Sequence, residues 1–161
     1  MKHSEQGECL RYVSVIGAGA CDAETEKIAE EVGRLIARSG MALVCGGLGG
    51  VMEAACRGAK AEGGVTIGIL PGLSRGEGNP WLDYSICTGI GHARNLAVAS
   101  SGDAVIALGG EFGTLSEIGL ALKTGRRVIL MRSWEISRDG KMPPGVRIAK
   151  SPEEAVRLAA E

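Results

Sequence analysis

Aromatic side chains are the scarcest feature of this chain, with one phenylalanine, two tyrosines and two tryptophans among 161 residues. A groove that holds single strands by stacking bases on rings is poorly supplied by such a composition, so nucleic acid is not expected as a partner. Histidine is nearly as rare, at two, and the five cysteines (Cys9, Cys21, Cys45, Cys56 and Cys87) form no CxxC pair. An odd, scattered set argues against a disulfide framework and against a zinc site. It predicts buried free thiols in a reducing compartment and no metal bound by the chain's own side chains. No apolar run approaches the roughly 20 residues of a membrane span, since stretches such as Ala104 to Leu108 are strand length. The first residues are too polar for a signal peptide, and a cytoplasmic protein without a membrane partner is expected. The net charge of -1 gives no general pull on polyanions. Only residues 123–150 lean basic, with Arg126, Arg127, Arg132, Arg138, Lys141 and Arg147, and this solvated face would help hold a phosphorylated ligand.

Glycine, by contrast, is abundant at 26 residues, and it falls between apolar runs, where it supplies turns. A chain of this length suits one domain that buries roughly 70% of its unfolded surface. We expect a flexible segment over residues 1–10 and a single domain over 11–161. "RYVSVIG" reads as the first strand. Asp22 then offers an N-cap, Glu24 and Glu26 suit the positive end of a helix, and Ile28, Val32, Leu35 and Ile36 recur at helical spacing until Gly40. The unit repeats with a strand at Met41 to Cys45, the turn "GGLGG", and a helix with small residues at Val51, Ala54, Ala55, Gly58 and Ala59. A strand at Val65 to Leu70 leads into a long loop, Pro71 to Asp83, of the kind that is functional or mobile. "YSICTG", a helix around Ala93 to Ser101, the strand "DAVIALGG", a helix with Leu115, Ile118 and Leu122 on one face, and the strand "RVILM" follow. A second loop, Arg132 to Gly145, precedes a last helix near Pro152 to Ala160. Continuous apolar strands alternating with helices predict an α/β, three-layer Rossmann-like fold, its mainly parallel sheet covered on both faces.

In such sheets ligands sit beyond the carboxyl ends of the strands, where turns present amide N–H groups and helix N-termini. Gly17-Ala18-Gly19 lacks the third glycine of a dinucleotide fingerprint, because Asp22 stands in its place, and no GxxxxGK[ST] motif occurs. The turn with Gly46, Gly47, Gly49 and Gly50, and the "GGEFGT" turn with Gly109, Gly110, Gly113 and Thr114, each follow a strand and enter a helix. Either alone is an ordinary tight turn. The pair favours a phosphorylated or nucleotide-like ligand gripped at one rim of the sheet, with Gly17 beside it. Thr114-x-x-Glu117 also fits a capping box, in which threonine and glutamate side chains satisfy each other's backbone amides. Glu53 and Arg57, at i and i+4, are expected to pair on their helix. Arg75, Asn79 and Trp81 are loop residues that reach either a ligand or ordinary packing.

"VCGGLGGVMEAACRGAKAEGGVTIGILPG", "ARN" at Ala93 to Asn95 and "GGEFGTLSEIGLALKTGRRVIL" together resemble the LOG-like, or SLOG, Rossmann superfamily. That superfamily contains phosphoribohydrolases once misnamed lysine decarboxylases, and molybdenum-cofactor carrier proteins. In the hydrolase signature PGGxGTxxE, with its upstream HxRK segment, Arg94 and Glu117 match the residues that work on the N-glycosidic bond. Gly110, Gly113 and Thr114 match the phosphate cradle, and His92 also fits. Gly109 replaces the proline, Glu111 the second glycine, Asn95 the lysine, and "GVME" an expected "GLMG". These departures resemble the carrier branch. The resemblance implies a binding or carrier protein for molybdenum cofactor or a purine nucleotide, with no cofactor needed for folding. The alternatives are a nucleoside 5'-monophosphate phosphoribohydrolase and, further off, a nucleic-acid-processing accessory protein; lysine decarboxylation is not among them. Relatives form dimers or tetramers, so a homo-oligomer is expected.

Overall fold

The computed structural model describes residues 10–161. The expected flexible segment, apart from Leu10, and Cys9 lie outside the described residues. Seven strands, β1 (Tyr12–Gly17), β2 (Ala42–Cys45), β3 (Thr66–Leu70), β4 (Tyr84–Cys87), β5 (Ala104–Leu108), β6 (Arg127–Met131) and β7 (Val146–Ile148), form one parallel sheet in the order β4-β3-β2-β1-β5-β6-β7. Helices α1 (Ala23–Arg38), α2 (Val51–Ala61) and α5 (Pro152–Ala160) build the core on one face, and α3 (Asn95–Ser101) and α4 (Phe112–Lys123) build it on the other. This is the α/β three-layer, Rossmann-like arrangement. Every residue of β2 and β5 is buried, which is why those strands read as unbroken apolar runs.

Local chemistry sets the helix ends. The Asp22 side chain accepts from the Thr25 amide at 2.7 Å and starts α1, and Gly40, at φ +70°, turns the chain just past its end. The small residues of α2 bring it against α1. A Cβ on Gly33 would strike the Ala55 carbonyl, and one on Gly58 would strike the Glu30 carbonyl. That closeness overturns the expected Glu53–Arg57 pair. Arg57 instead reaches across to Glu26 Oε1 at 2.7 Å and Glu30 Oε2 at 3.0 Å, two carboxylates of α1 in place of one on its own helix.

Three elements depart from the sequence reading. β7 lies just beyond the expected second loop and was not anticipated, because it is a three-residue edge strand in which only Val146 is buried. The helix expected from Ala93 is a 3₁₀ turn, Gly91–Arg94, running into α3. The Pro71 to Asp83 loop is fastened rather than loose. Asn79 donates from its backbone to Gly47 O at 2.8 Å and from its side chain to Leu48 O at 3.1 Å, and Leu82 packs over Gly47 and Gly68. Neither Asn79 nor Trp81 faces the cavity described below. On the opposite face two helices do not extend over β4, so Tyr84 and Ile86, in register with Ile67 and Ile69, stay more than half exposed.

Candidate functional site

Strands β2, β3 and β4 run outward from β1 in one direction, and β6 and β7 run outward from β5 in the other. The reversal opens a crevice at the carboxyl ends of β1 and β5, the place where such sheets hold ligands. A cavity of about 330 Å³ lies there. One wall is the turn from Gly17 to Ala20, a second is Gly46 with Leu48 and Met52, a third is the segment from His92 to Asn95, and the α4 entrance closes it.

Arg94 is buried, 7% exposed, at the end of the 3₁₀ turn. Its guanidinium occupies the space that a side chain at Gly46 would need, because a Cβ there would stand 2.8 Å from one of its terminal nitrogens. Arg94 Nη1 donates to Asn95 Oδ1 at 2.7 Å and lies 3.7 Å from Glu117 Oε1, too far for a hydrogen bond. Arg94 Nε is buried without a partner. Burial lowers the Arg94 pKa from its ordinary value, while Glu117 and Cys45 oppose the shift. Burial raises that of Glu117 to about 7, against the pull of Arg94. The pair is thus a guanidinium with donors to spare beside a carboxyl that changes charge near neutrality.

The α4 entrance corrects the capping-box expectation. The helix begins at Phe112, three residues earlier than that reading requires, with Glu111 as an N-cap that makes no side-chain bond. Gly110 causes the early start. Its φ of +101° suits only glycine, and a Cβ there would collide with the Thr114 side chain packed above it. Leu115 is the first residue to donate back into the helix, to Glu111 O at 3.0 Å, so the amides of residues 112–114 have no acceptor within it. Thr114 and Glu117 therefore sit on the buried inner face, and Gly113, Thr114 and Glu117 all line the cavity.

Of the residues singled out from the sequence, Gly17, Gly46, Arg94, Gly113, Thr114 and Glu117 share this cavity. Gly47, Gly49, Gly50, Gly109 and Gly110 do not line it. Gly47 packs on Leu70 and Leu82, and Gly50 presses on Ala18 and Gly19, where Val51 N donates to Ala18 O at 3.1 Å. These glycines shape the turns and leave the walls to others. Leu48, Met52 and Asn95 line the cavity without having been proposed, and Glu111 brings a carboxylate to it. Leu48 and Met52 lie within the turn and helix already singled out, but apolar residues there read as core.

The basic stretch is not part of the site. Arg126, Arg127 and Arg147 line a separate cavity with Asp103 at the amino ends of the strands, opposite the crevice. Arg132 reaches the carboxyl end and pairs with Glu24. Among the described residues no group of three or more His, Cys, Asp or Glu side chains is placed to hold a metal ion. Cys45 and Cys56 are buried, as expected of free thiols, with their sulfurs 3.5 Å apart beneath the Gly46 turn, whereas Cys21 and Cys87 are only half-buried.

A parallel sheet with its crevice at the strand-order reversal, two glycine-bearing turns and a buried arginine defines a Rossmann-like protein with a cavity at the usual ligand position of such sheets. More narrowly, the chain belongs to the SLOG cluster4 family, whose model matches residues 10–156. An uncharacterised protein of Archaeoglobus fulgidus is 47% identical over 147 residues, which are 91% of this chain and 93% of that one. The molybdenum cofactor binding protein from the phototrophic bacterium Rippkaea orientalis superposes with a TM-score of 0.85 at 36% identity, over 96% of this chain and 98% of its own. The molybdenum cofactor carrier protein of Chlamydomonas reinhardtii gives a TM-score of 0.78 at 30% identity, over 94% of this chain and 97% of its own.

Proposed function

We propose that this chain binds and carries a phosphorylated, nucleotide-like small molecule, molybdenum cofactor or a purine nucleotide, in the crevice between β1 and β5. The observation that carries the reading is the junction of Arg94 with the unpaired α4 amides in one cavity. A buried guanidinium and the positive end of a helix both favour an anion, and each is left with donors that the protein does not satisfy. The phosphate end of either ligand fits Gly113, Thr114 and Arg94, whose guanidinium sits in the space that Gly46 leaves free. Molybdenum would arrive held by its own cofactor, since the walls offer no ligand set for it. The similarity to molybdenum cofactor binding and carrier proteins supports this choice of ligand class.

Equilibrium titration with AMP, GMP and molybdopterin tests the reading. Saturable binding of at least one is expected, weakened about tenfold or more by Arg94→Ala, which removes a charge-assisted contact. No binding to any of the three defeats it.

A second reading, hydrolysis of nucleoside 5'-monophosphates, is favoured by the Arg94–Glu117 pair alone. As a carboxylate Glu117 would stabilise a ribose carbon becoming cationic, and Arg94 would neutralise phosphate. Release of free base from AMP would establish it. With Glu117 titrating near 7, such activity would rise through neutral pH. For subunit number we propose a homodimer or homotetramer built through the uncharged outer surface of α3 and the neighbouring sheet edge.

A further inference from the structure

The cavity at Arg94 leaves one conspicuous side chain unused. Phe112, the chain's sole phenylalanine, is the first residue of α4, and the residue is 79% exposed. It is not loose. Its ring centroid lies 5.7 Å from that of Trp134, with the planes tilted by 39°, an ordinary aromatic pairing. Trp134 is the fixed partner. Its indole N–H donates to the Glu111 carbonyl at 3.3 Å, and its ring packs against the core beneath α4.

The pair stands beside a second cavity, of about 320 Å³, lined by Gly109, Gly110, Arg132, Ser133 and Trp134. The two linings meet in the chain at Gly110, which lines this second cavity, and Glu111, which lines the first. At about 330 Å³ the first cavity lies near the lower end of the range for small-molecule sites. Phe112 adjoins Gly113 in the chain, so a flat ring attached to a phosphate at Gly113 has an exposed aromatic side chain within reach. In a chain with so few aromatic residues, two of them are spent at this one rim.

We propose that Phe112, held in place by Trp134, is a stacking platform for the heteroaromatic ring of the ligand, and so selects purine-sized flat heterocycles over plain sugar phosphates. The inference rests on the phosphate-cradle reading above and goes beyond it by assigning the ring a place outside the first cavity. Calorimetric titration of wild type, Phe112→Ala and Phe112→Tyr with AMP, GMP and ribose 5-phosphate tests it, with light scattering on each variant. Wild type is expected to bind the nucleotides at least tenfold tighter than ribose 5-phosphate. Phe112→Ala is expected to lose about tenfold for the nucleotides, the scale of one base–aromatic stack, and to leave ribose 5-phosphate unchanged. Phe112→Tyr keeps the ring and keeps the affinity. An equal loss for all three ligands, no loss for the nucleotides, or a changed molecular mass for Phe112→Ala overturns the platform and leaves the cradle standing. If wild type binds none of the three, the platform fails; the cradle fails with it only if molybdopterin does not bind either.

Discussion

Glu117 is the residue whose behaviour depends most on where the fold puts it. Exposed on a helix it would be an ordinary acid; here only about 7% of it is exposed, and burial raises its pKa from 4.5 to about 7. An acid with a raised folded-state value favours the folded chain while protonated. Its penalty is absent below the unfolded value, grows as pH rises through the interval between the two, and is complete above about 7. Glu117→Gln keeps the shape and removes the titration. The variant is therefore expected to gain on wild type between pH 5 and pH 8, by up to about 3 kcal/mol, in paired urea denaturations. A difference independent of pH would mean that Glu117 is held as a carboxylate throughout. The spacing of Glu117 after Gly110 was legible in the letters. That it faces inward was not, because Thr-x-x-Glu serves equally as a helix start, and the choice lies with the positive φ of Gly110.

At the scale of elements, strands declared themselves wherever neighbours cover both faces, as at β2 and β5, and failed to where an edge leaves the run short, as at β7 with its exposed Arg147. The small-residue stripe of α2 likewise announced a close approach without saying to what. The partner is α1, and the contact reverses an ordinary rule. Glycine to alanine inside a helix is usually favourable by about 1 kcal/mol. At Gly58 the added methyl would meet the Glu30 backbone, which no rotamer change can move. Gly58→Ala is thus expected to destabilise by about 2 kcal/mol or more, read as a lower urea midpoint at unchanged slope.

For the whole molecule, the alternation of strands and helices implied a parallel sheet but not its order, since order is settled by which crossovers go left or right of β1. That reversal locates the crevice, so the site became visible only when Arg94, Gly46 and α4 were seen to meet there. The uneven cover of the sheet has a consequence at this scale too. Leu96, Tyr84, Ile86 and Ile90, each 46% exposed or more, lie on or beside the thinly covered face. Exposed apolar side chains on this side are where the proposed contact between copies of the chain would form. Light scattering is expected to give a multiple of the single-chain mass for wild type and a smaller mass for Leu96→Lys with Ile86→Lys; a wild-type monomer at micromolar concentration would remove the proposed homo-oligomer.

The two hydrogen bonds from Asn79 to Gly47 and Leu48 join a surface connection to the lining of the crevice. Anyone who shortens that connection, or grafts another into its place to retune selectivity, edits the pocket floor at the same time. The engineering-friendly part of this scaffold is accordingly the ridge around Phe112, where a side chain can be exchanged without unseating the ones behind it.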